Sequence, residues 1–223
     1  MSESTIPVIA IDGPTASGKG TIAARVARAL GFHYLDSGAL FRLAALKCLE
    51  SGANLSDEGT CAAIASEMEP VFDAGRILFG ERDVTEAIRA EQVGIAASKI
   101  AVLPAVRRAL FDQELKARRL PGLVADGRDM ASVVFPDAAL KVFLTASAQA
   151  RAMRRYKQLI DKGVSANLPN LTRDLEERDR RDRERSVSPC IPAPGARVLD
   201  SSELTIEQTV EQVLAWWRET SAH

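Results

Sequence analysis

Short apolar runs alternate along the chain with stretches whose apolar residues recur at helical spacing. Residues 8–12 (Val-Ile-Ala-Ile-Asp), 32–36, 123–126, 140–146 and 197–200 are each short, apolar and followed by turn or helix signals. That is the pattern of a parallel sheet covered by helices on both faces. The stretch 21–30 is alanine-rich with few breakers and is read as a helix. From about Thr205 to Ala222 the chain places Ile206, Val210, Val213, Leu214 and Trp217 on one stripe, with Trp216 beside it. We read this as a helix covering the core, with both tryptophans as cover rather than as a base-stacking platform.

Two stretches break the alternation. Between Met68 and Val84 the sequence predicts short strands at Pro70-Val71-Phe72 and Ile77-Leu78-Phe79, with turns at Asp73-Ala74-Gly75-Arg76 and near Gly80. An antiparallel hairpin inside an α/β chain points to an inserted subdomain. Residues 157–171, with Gly163, Ser165, Asn167 and Pro169, are read as a mobile loop between helices.

Composition narrows the chemistry. A chain of 223 residues supports one sizeable domain with small insertions. The net charge of −1 lacks the footprint of a nucleic-acid binder, although arginine is concentrated after Arg151. Cys48, Cys61 and Cys190 form an odd set without CxxC spacing, so reduced thiols are expected rather than a zinc site or disulfides. Only His33 and His223 could supply imidazole, which nearly excludes Ser-His-Asp chemistry and histidine-bound metals. The start, Met-Ser-Glu-Ser-Thr, shows no signal peptide, and no apolar run approaches a membrane span. The expectation is a cytoplasmic monomer that binds neither membrane nor nucleic acid.

The first apolar run leads directly into Gly13-Pro14-Thr15-Ala16-Ser17-Gly18-Lys19-Gly20-Thr21. Such a loop lets successive backbone N–H groups curl around a phosphate, and Lys19 adds a positive charge for the β- and γ-phosphates. The helix after it aims its positive end at the same anion. Gly20 follows the lysine where the strict Walker pattern has Ser or Thr, and the hydroxyl arrives one residue later at Thr21. No protein ligand set for a metal is therefore expected: Mg2+ would be held by phosphate oxygens and water, with Thr21 and Asp126 nearby.

Three further constellations belong with this loop. Asp36-Ser37-Gly38 ends the second strand and leads to Phe41-Arg42; Ser37 can cap the following helix, and Arg42 suits a second phosphate. Asp126-Gly127-Arg128-Asp129 closes a strand as a Walker-B-like carboxylate does, with Arg128 and Asp129 beyond it. In Arg178-Asp179-Arg180-Arg181-Asp182-Arg183-Glu184-Arg185, the pairs Glu177–Arg181 and Asp179–Arg183 fit a solvated helix. Arg178, Arg181, Asp182 and Arg185 nonetheless share one face, which suits phosphate and a sugar hydroxyl. Ser98 and Arg107 look like surface residues on spacing alone.

Taken with Val133-Val134-Phe135-Pro136-Asp137-Ala138 and Val198-Leu199-Asp200-Ser201, these motifs resemble the bacterial cytidylate kinases over nearly the whole chain. The resemblance implies a P-loop fold of three layers, α/β/α, on a five-stranded parallel sheet. It implies a core near residues 6–37, 98–153 and 186–223, a monophosphate-binding insertion near 38–97 and a short lid near 154–185. The reaction implied is transfer of the γ-phosphoryl group of MgATP to CMP or dCMP. Residues 13–21 with Arg155 would bind ATP, and Lys19, Arg128 and Arg181 would be catalytic. The acceptor would be held by Ser37, Phe41, Arg42, Ser98, Arg107, Arg128, Asp129, Arg178, Asp182 and Arg185, and Arg151 and Arg154 are further lid arginines. The alternatives are a kinase with a UMP, AMP or shikimate-like acceptor, a nucleotide-dependent switch, which lacks its NKxD and DxxG strings here, and a nucleic-acid-binding module.

Overall fold

The computed structural model describes residues 6–73, 76–161 and 163–221. In chain order its elements are β1 (Val8–Asp12), α1 (Lys19–Leu30), β2 (His33–Asp36), α2 (Ser37–Glu50), α3 (Glu58–Ser66), β3 (Pro70–Asp73), β4 (Arg76–Phe79) and β5 (Arg82–Asp83). There follow α4 (Glu91–Ile100), α5 (Pro104–Lys116), β6 (Leu123–Gly127), β7 (Leu140–Thr145), α6 (Ala148–Asp161), α7 (Leu168–Glu184), β8 (Arg197–Asp200) and α8 (Ile206–Ser221). Two compact units divide them: the chain up to Leu35 together with Ala117 onward, and Asp36–Lys116.

The first unit is built on a five-stranded sheet in the order β2-β6-β1-β7-β8. β1 pairs in parallel with β6 and β7, and β7 with β8. Every residue of β1 and β6 is buried, which is why these strands read as unbroken apolar runs rather than as alternation. Ile9, Ile11, Val124, Val142 and Leu144 pack with Ile22, Ala23 and Val26 of α1 and Val213 of α8. Trp216 and Trp217 cover this core as expected, with Trp217 edge-on to Phe32 at 5.7 Å. Ile206, expected on the same stripe, is exposed at the first residue of its helix. Ala222 and His223 lie outside the described residues.

The second unit combines α2–α5 with a small antiparallel sheet, β3-β4-β5. Asp36 caps α2 by accepting from Ala39 N–H (2.9 Å), and Asp57 caps α3 through Thr60 N–H (3.1 Å). Leu40, Leu43, Ile100, Val106 and Leu110 are buried within it. Its third strand has two charged residues and no apolar alternation, so periodicity gave no sign of it. The hairpin's central turn, at Ala74 and Gly75, lies outside the described residues.

The expected mobile loop at 157–171 is mostly helix. α6 continues to Asp161 and α7 begins at Leu168. Asn167 accepts from Asn170 N–H (3.0 Å) as the cap, and Pro169 sits in the first turn, where its missing N–H costs nothing. The polar and proline residues there mark a helix start.

Candidate active site

The phosphate-binding loop leaves β1 under tight constraint. A Cβ at Gly13 would lie 2.0 Å from the Leu144 carbonyl oxygen of β7, so only glycine passes this point. Gly18 adopts φ 89° immediately before α1, in the left-handed region that glycine occupies without strain. No side chain caps α1, so its first N–H groups remain available to an anion. Lys19 is buried and donates from Nζ to the Pro14 carbonyl (3.4 Å). Ser17 is buried too, and its hydroxyl meets no hydrogen-bond partner among the described residues.

Three arginines hold the loop from outside. Arg128 Nη2 donates to Thr15 Oγ1 (2.9 Å), Arg151 Nη1 to the Thr15 carbonyl (3.1 Å) and Arg154 Nη1 to the Ser17 carbonyl (3.2 Å). Arg151 and Arg154 thus both reach the loop from α6. An open cavity of about 410 Å³ beside it is lined in part by Pro14, Phe143, Arg151, Asp182 and Cys190.

Asp126 and Gly127 end β6 beside β1, and Arg128 and Asp129 follow it. Asp126 is buried and accepts from the Tyr34 hydroxyl at 2.5 Å. Arg128 reaches Asp182 of α7 through Nε (3.0 Å), an ion pair largely shielded from solvent. Burial opposes charge on Asp182, but Arg128, Arg178 and Arg185 outweigh it and hold the carboxyl below the usual range. Burial likewise works against the Arg128 guanidinium, and Asp182 overcomes it, so Arg128 stays charged. Asp129 is buried at the end of the segment. Thr21 is exposed on α1.

On α7, Asp182 is buried and Arg178 half-buried; Arg185, just past the helix end, is half-buried too and donates to the Ser188 carbonyl. Arg181 differs from the expected shared face: it is exposed and bonds back to its own helix at the Glu177 carbonyl (3.5 Å). The expected Asp179–Arg183 pair is also replaced, because Asp179 takes both Nη groups of buried Arg151 (3.1 and 2.5 Å). A two-pronged buried contact is stronger than an exposed i,i+4 pair.

The second unit carries the remaining candidates. Arg42 donates to the Ile88 carbonyl (2.9 Å) and, more weakly, to Ala90 (3.5 Å). Phe41 is buried, and the Arg107 guanidinium lies 5.5 Å from its ring centre while bonding the Ala101 carbonyl (3.2 Å). Phe41 therefore offers a stacking face to an arginine of the same unit. Ser98 back-bonds to Gly94 in its own helix (3.2 Å). Ser37 does not cap α2, since Asp36 does; its hydroxyl donates instead to buried Glu114 (2.6 Å). Ser98 and Arg107 fall with Arg42 in the unit 36–116.

The residue that sequence reasoning missed is Asp12. It is buried at the end of β1 and accepts from Met130 N–H (2.9 Å) and Ala131 N–H (2.8 Å). The available signal was a charged residue closing an otherwise apolar five-residue strand. The three cysteines are free and buried, and burial pushes Cys48 to about 12 and Cys190 to about 11, so these two thiols carry no charge at neutral pH.

A profile of the family described as Cytidylate kinase matches residues 9–219. A cytidylate kinase of Bordetella bronchiseptica is 57% identical over 217 residues, covering 97% of both chains. One of Cupriavidus necator is 58% identical over 212 residues, covering 95% of this chain and 96% of its own. One of Polynucleobacter asymbioticus is 54% identical over 219 residues, covering 98% and 100%.

Proposed function

The chain belongs to the cytidylate kinase family, and from that premise we propose that it transfers the γ-phosphoryl group of ATP to CMP or dCMP, giving ADP and CDP or dCDP. The observation that carries the reading is Arg128, half-buried, kept charged by Asp182 and hydrogen-bonded to Thr15 of the phosphate loop. A cation so placed serves a transferring phosphoryl group.

The attacking atom is an oxygen of the acceptor phosphate, already ionised at neutral pH, so the reaction needs no general base. What remains is alignment and charge neutralisation, which suits a chain with two histidines. The loop fits the triphosphate: the buried Ser17 hydroxyl, the uncapped start of α1 and Lys19 all offer donors to phosphate oxygens. Among the described residues no group of three or more His, Cys, Asp or Glu is arranged for a metal. Magnesium would be held by the phosphates and water, with Asp126 and Thr21 nearby, and would neutralise phosphate charge. Lys19, Arg128 and Arg181 are assigned to charge neutralisation, and Arg155, with Arg151 and Arg154, to the ATP side.

For the acceptor, Arg42 and Arg128 are assigned to its phosphate, with Ser37 and Phe41 beside it. Arg178 and Asp182 are assigned to the sugar, and Ser98, Arg107 and Arg185 join Asp129 in reading the base. Asp129 would accept from the exocyclic amine of cytosine, as acidic side chains do at cytosine N4. Uracil would set a carbonyl oxygen against that buried carboxylate. We take the enzyme to act as a monomer in the cytoplasm.

A coupled ADP-release assay with CMP, dCMP, UMP and AMP tests this. Asp129→Ala is expected to lose about 2 kcal/mol of the preference for CMP over UMP, roughly 30-fold, while KM for ATP holds. An unchanged CMP:UMP ratio refutes the base assignment.

A further inference from the structure

Asp12 is joined by two hydrogen bonds to residues 118 and 119 positions further along the chain. The amides it accepts from, Met130 and Ala131, open the single wide turn Met130–Val134. A carboxylate on the first N–H groups of a turn does the work of a helix cap, here supplied by another strand.

Tightly packed glycines flank this link. The residue after Asp12 is Gly13, pressed so closely on β7 that a Cβ there would strike Leu144. The residue opening the opposite segment is Gly127, where a Cβ would lie 2.8 Å from Met130 Cγ. Arg128 and Asp129 lie between Gly127 and Met130, on a stretch pinned at its far end by Asp12. The carboxylate is costly where it stands: burial first, with Asp129 adding to it, pushes its pKa up to about 6, against the pull of the two amides and Lys19. A turn alone could be capped at lower cost by a neutral side chain.

We infer that Asp12 is a positioning residue: it fixes where Arg128 and Asp129 stand relative to the phosphate loop, and thereby governs acceptor binding more than ATP binding. The inference rests on the assignment of Arg128 and Asp129 to the acceptor.

The test uses Asp12→Asn and Asp12→Ala in the full chain, with CMP and ATP varied separately. Asparagine keeps one acceptor oxygen but turns an NH2 toward the second amide, and alanine removes both. In Asp12→Ala, KM for CMP should rise by about tenfold or more and the CMP:UMP ratio should fall, because small misplacement of aligned groups is expensive. KM for ATP should move by no more than about threefold, and Asp12→Asn should fall between Asp12→Ala and wild type. Amide exchange at Met130 and Ala131 should quicken in both variants. Should Asp12→Ala fail to fold, Asp12→Asn at reduced temperature carries the same comparison. Lower stability with wild-type KM for CMP and wild-type CMP:UMP ratio overturns the inference and leaves Asp12 merely structural. Asp129→Ala separates the failures. If it relaxes base choice and the Asp12 variants do not, only this inference falls; if it has no effect, the acceptor assignment falls and takes the inference with it.

Discussion

In the unit built on the five-stranded sheet, Arg128 and Arg151 are each gripped by a carboxylate, Asp182 and Asp179. In the helical unit, Arg42 and Arg107 are oriented by main-chain carbonyls of Ile88, Ala90 and Ala101, with the Phe41 ring against Arg107. The two anchors have different consequences. A carboxylate partner is itself a charge taken from water, so losing the arginine strands it. A carbonyl partner is neutral and fixed by the backbone, so breaking that bond leaves an acceptor short of a donor rather than a bare charge. Arginines with parallel proposed roles in catalysis should therefore differ in what they do for stability.

The largest effect tests that difference directly. Arg128→Ala and Arg42→Ala should each lower kcat with CMP by about 10²–10³, the usual loss for one preorganised donor to a developing charge. Arg128→Ala should also cost about 2–3 kcal/mol of folding free energy, because Asp182 loses its bonded cation and keeps Arg178 and Arg185 nearby, against about 1–2 kcal/mol for Arg42→Ala. Urea unfolding beside the ADP-release assay reads both, and equal stability losses would break the comparison. Next, Arg151→Ala should cost about 3 kcal/mol, because Asp179 stays largely buried without its fork. Asp179→Asn should match it in urea, whereas neither change should alter the CMP:UMP ratio.

A smaller effect concerns pH. The Asp12 carboxyl titrates near 6 when folded, above its ordinary value of 3.8. Between those values the folded chain holds a proton that the unfolded chain has released. The stabilising contribution is therefore complete below about 3.8 and is lost as pH rises through about 6. Its size is roughly 2–3 kcal/mol. Asp12→Asn removes this titration, so the stability of the variant relative to wild type should improve by that amount from pH 4 to pH 7. A difference that stays flat across that range would show that Asp12 is ionised at no cost.

These partners also mark where sequence reasoning reached its end. β1 and the loop through Thr21 were legible because an apolar run, two glycines and a lysine lie within a few residues of each other. β7 and β8 announced themselves the same way. The contacts that order the site join distant positions: Arg151 with Asp179, Arg128 with Asp182 and Asp12 with Met130. Local rules favoured Asp179–Arg183, and the packing of α6 against α7 won. At α2, Asp36 and Ser37 are both good caps one residue apart, and only the backbone decides that Asp36 takes Ala39. Nothing local marks Glu114 as the buried acceptor of the Ser37 hydroxyl, since it sits in a helix with acids and bases on every side.

Both tryptophans of the chain are on α8, and its two tyrosines are Tyr34 and Tyr156. All four lie in the sheet unit, and residues 36–116 contain neither type. Indole emission and the indole and phenol bands of near-ultraviolet dichroism consequently watch that half alone, whereas far-ultraviolet dichroism registers helices from both. Overlaying the two optical melts resolves which half gives way first, with no label attached to the protein.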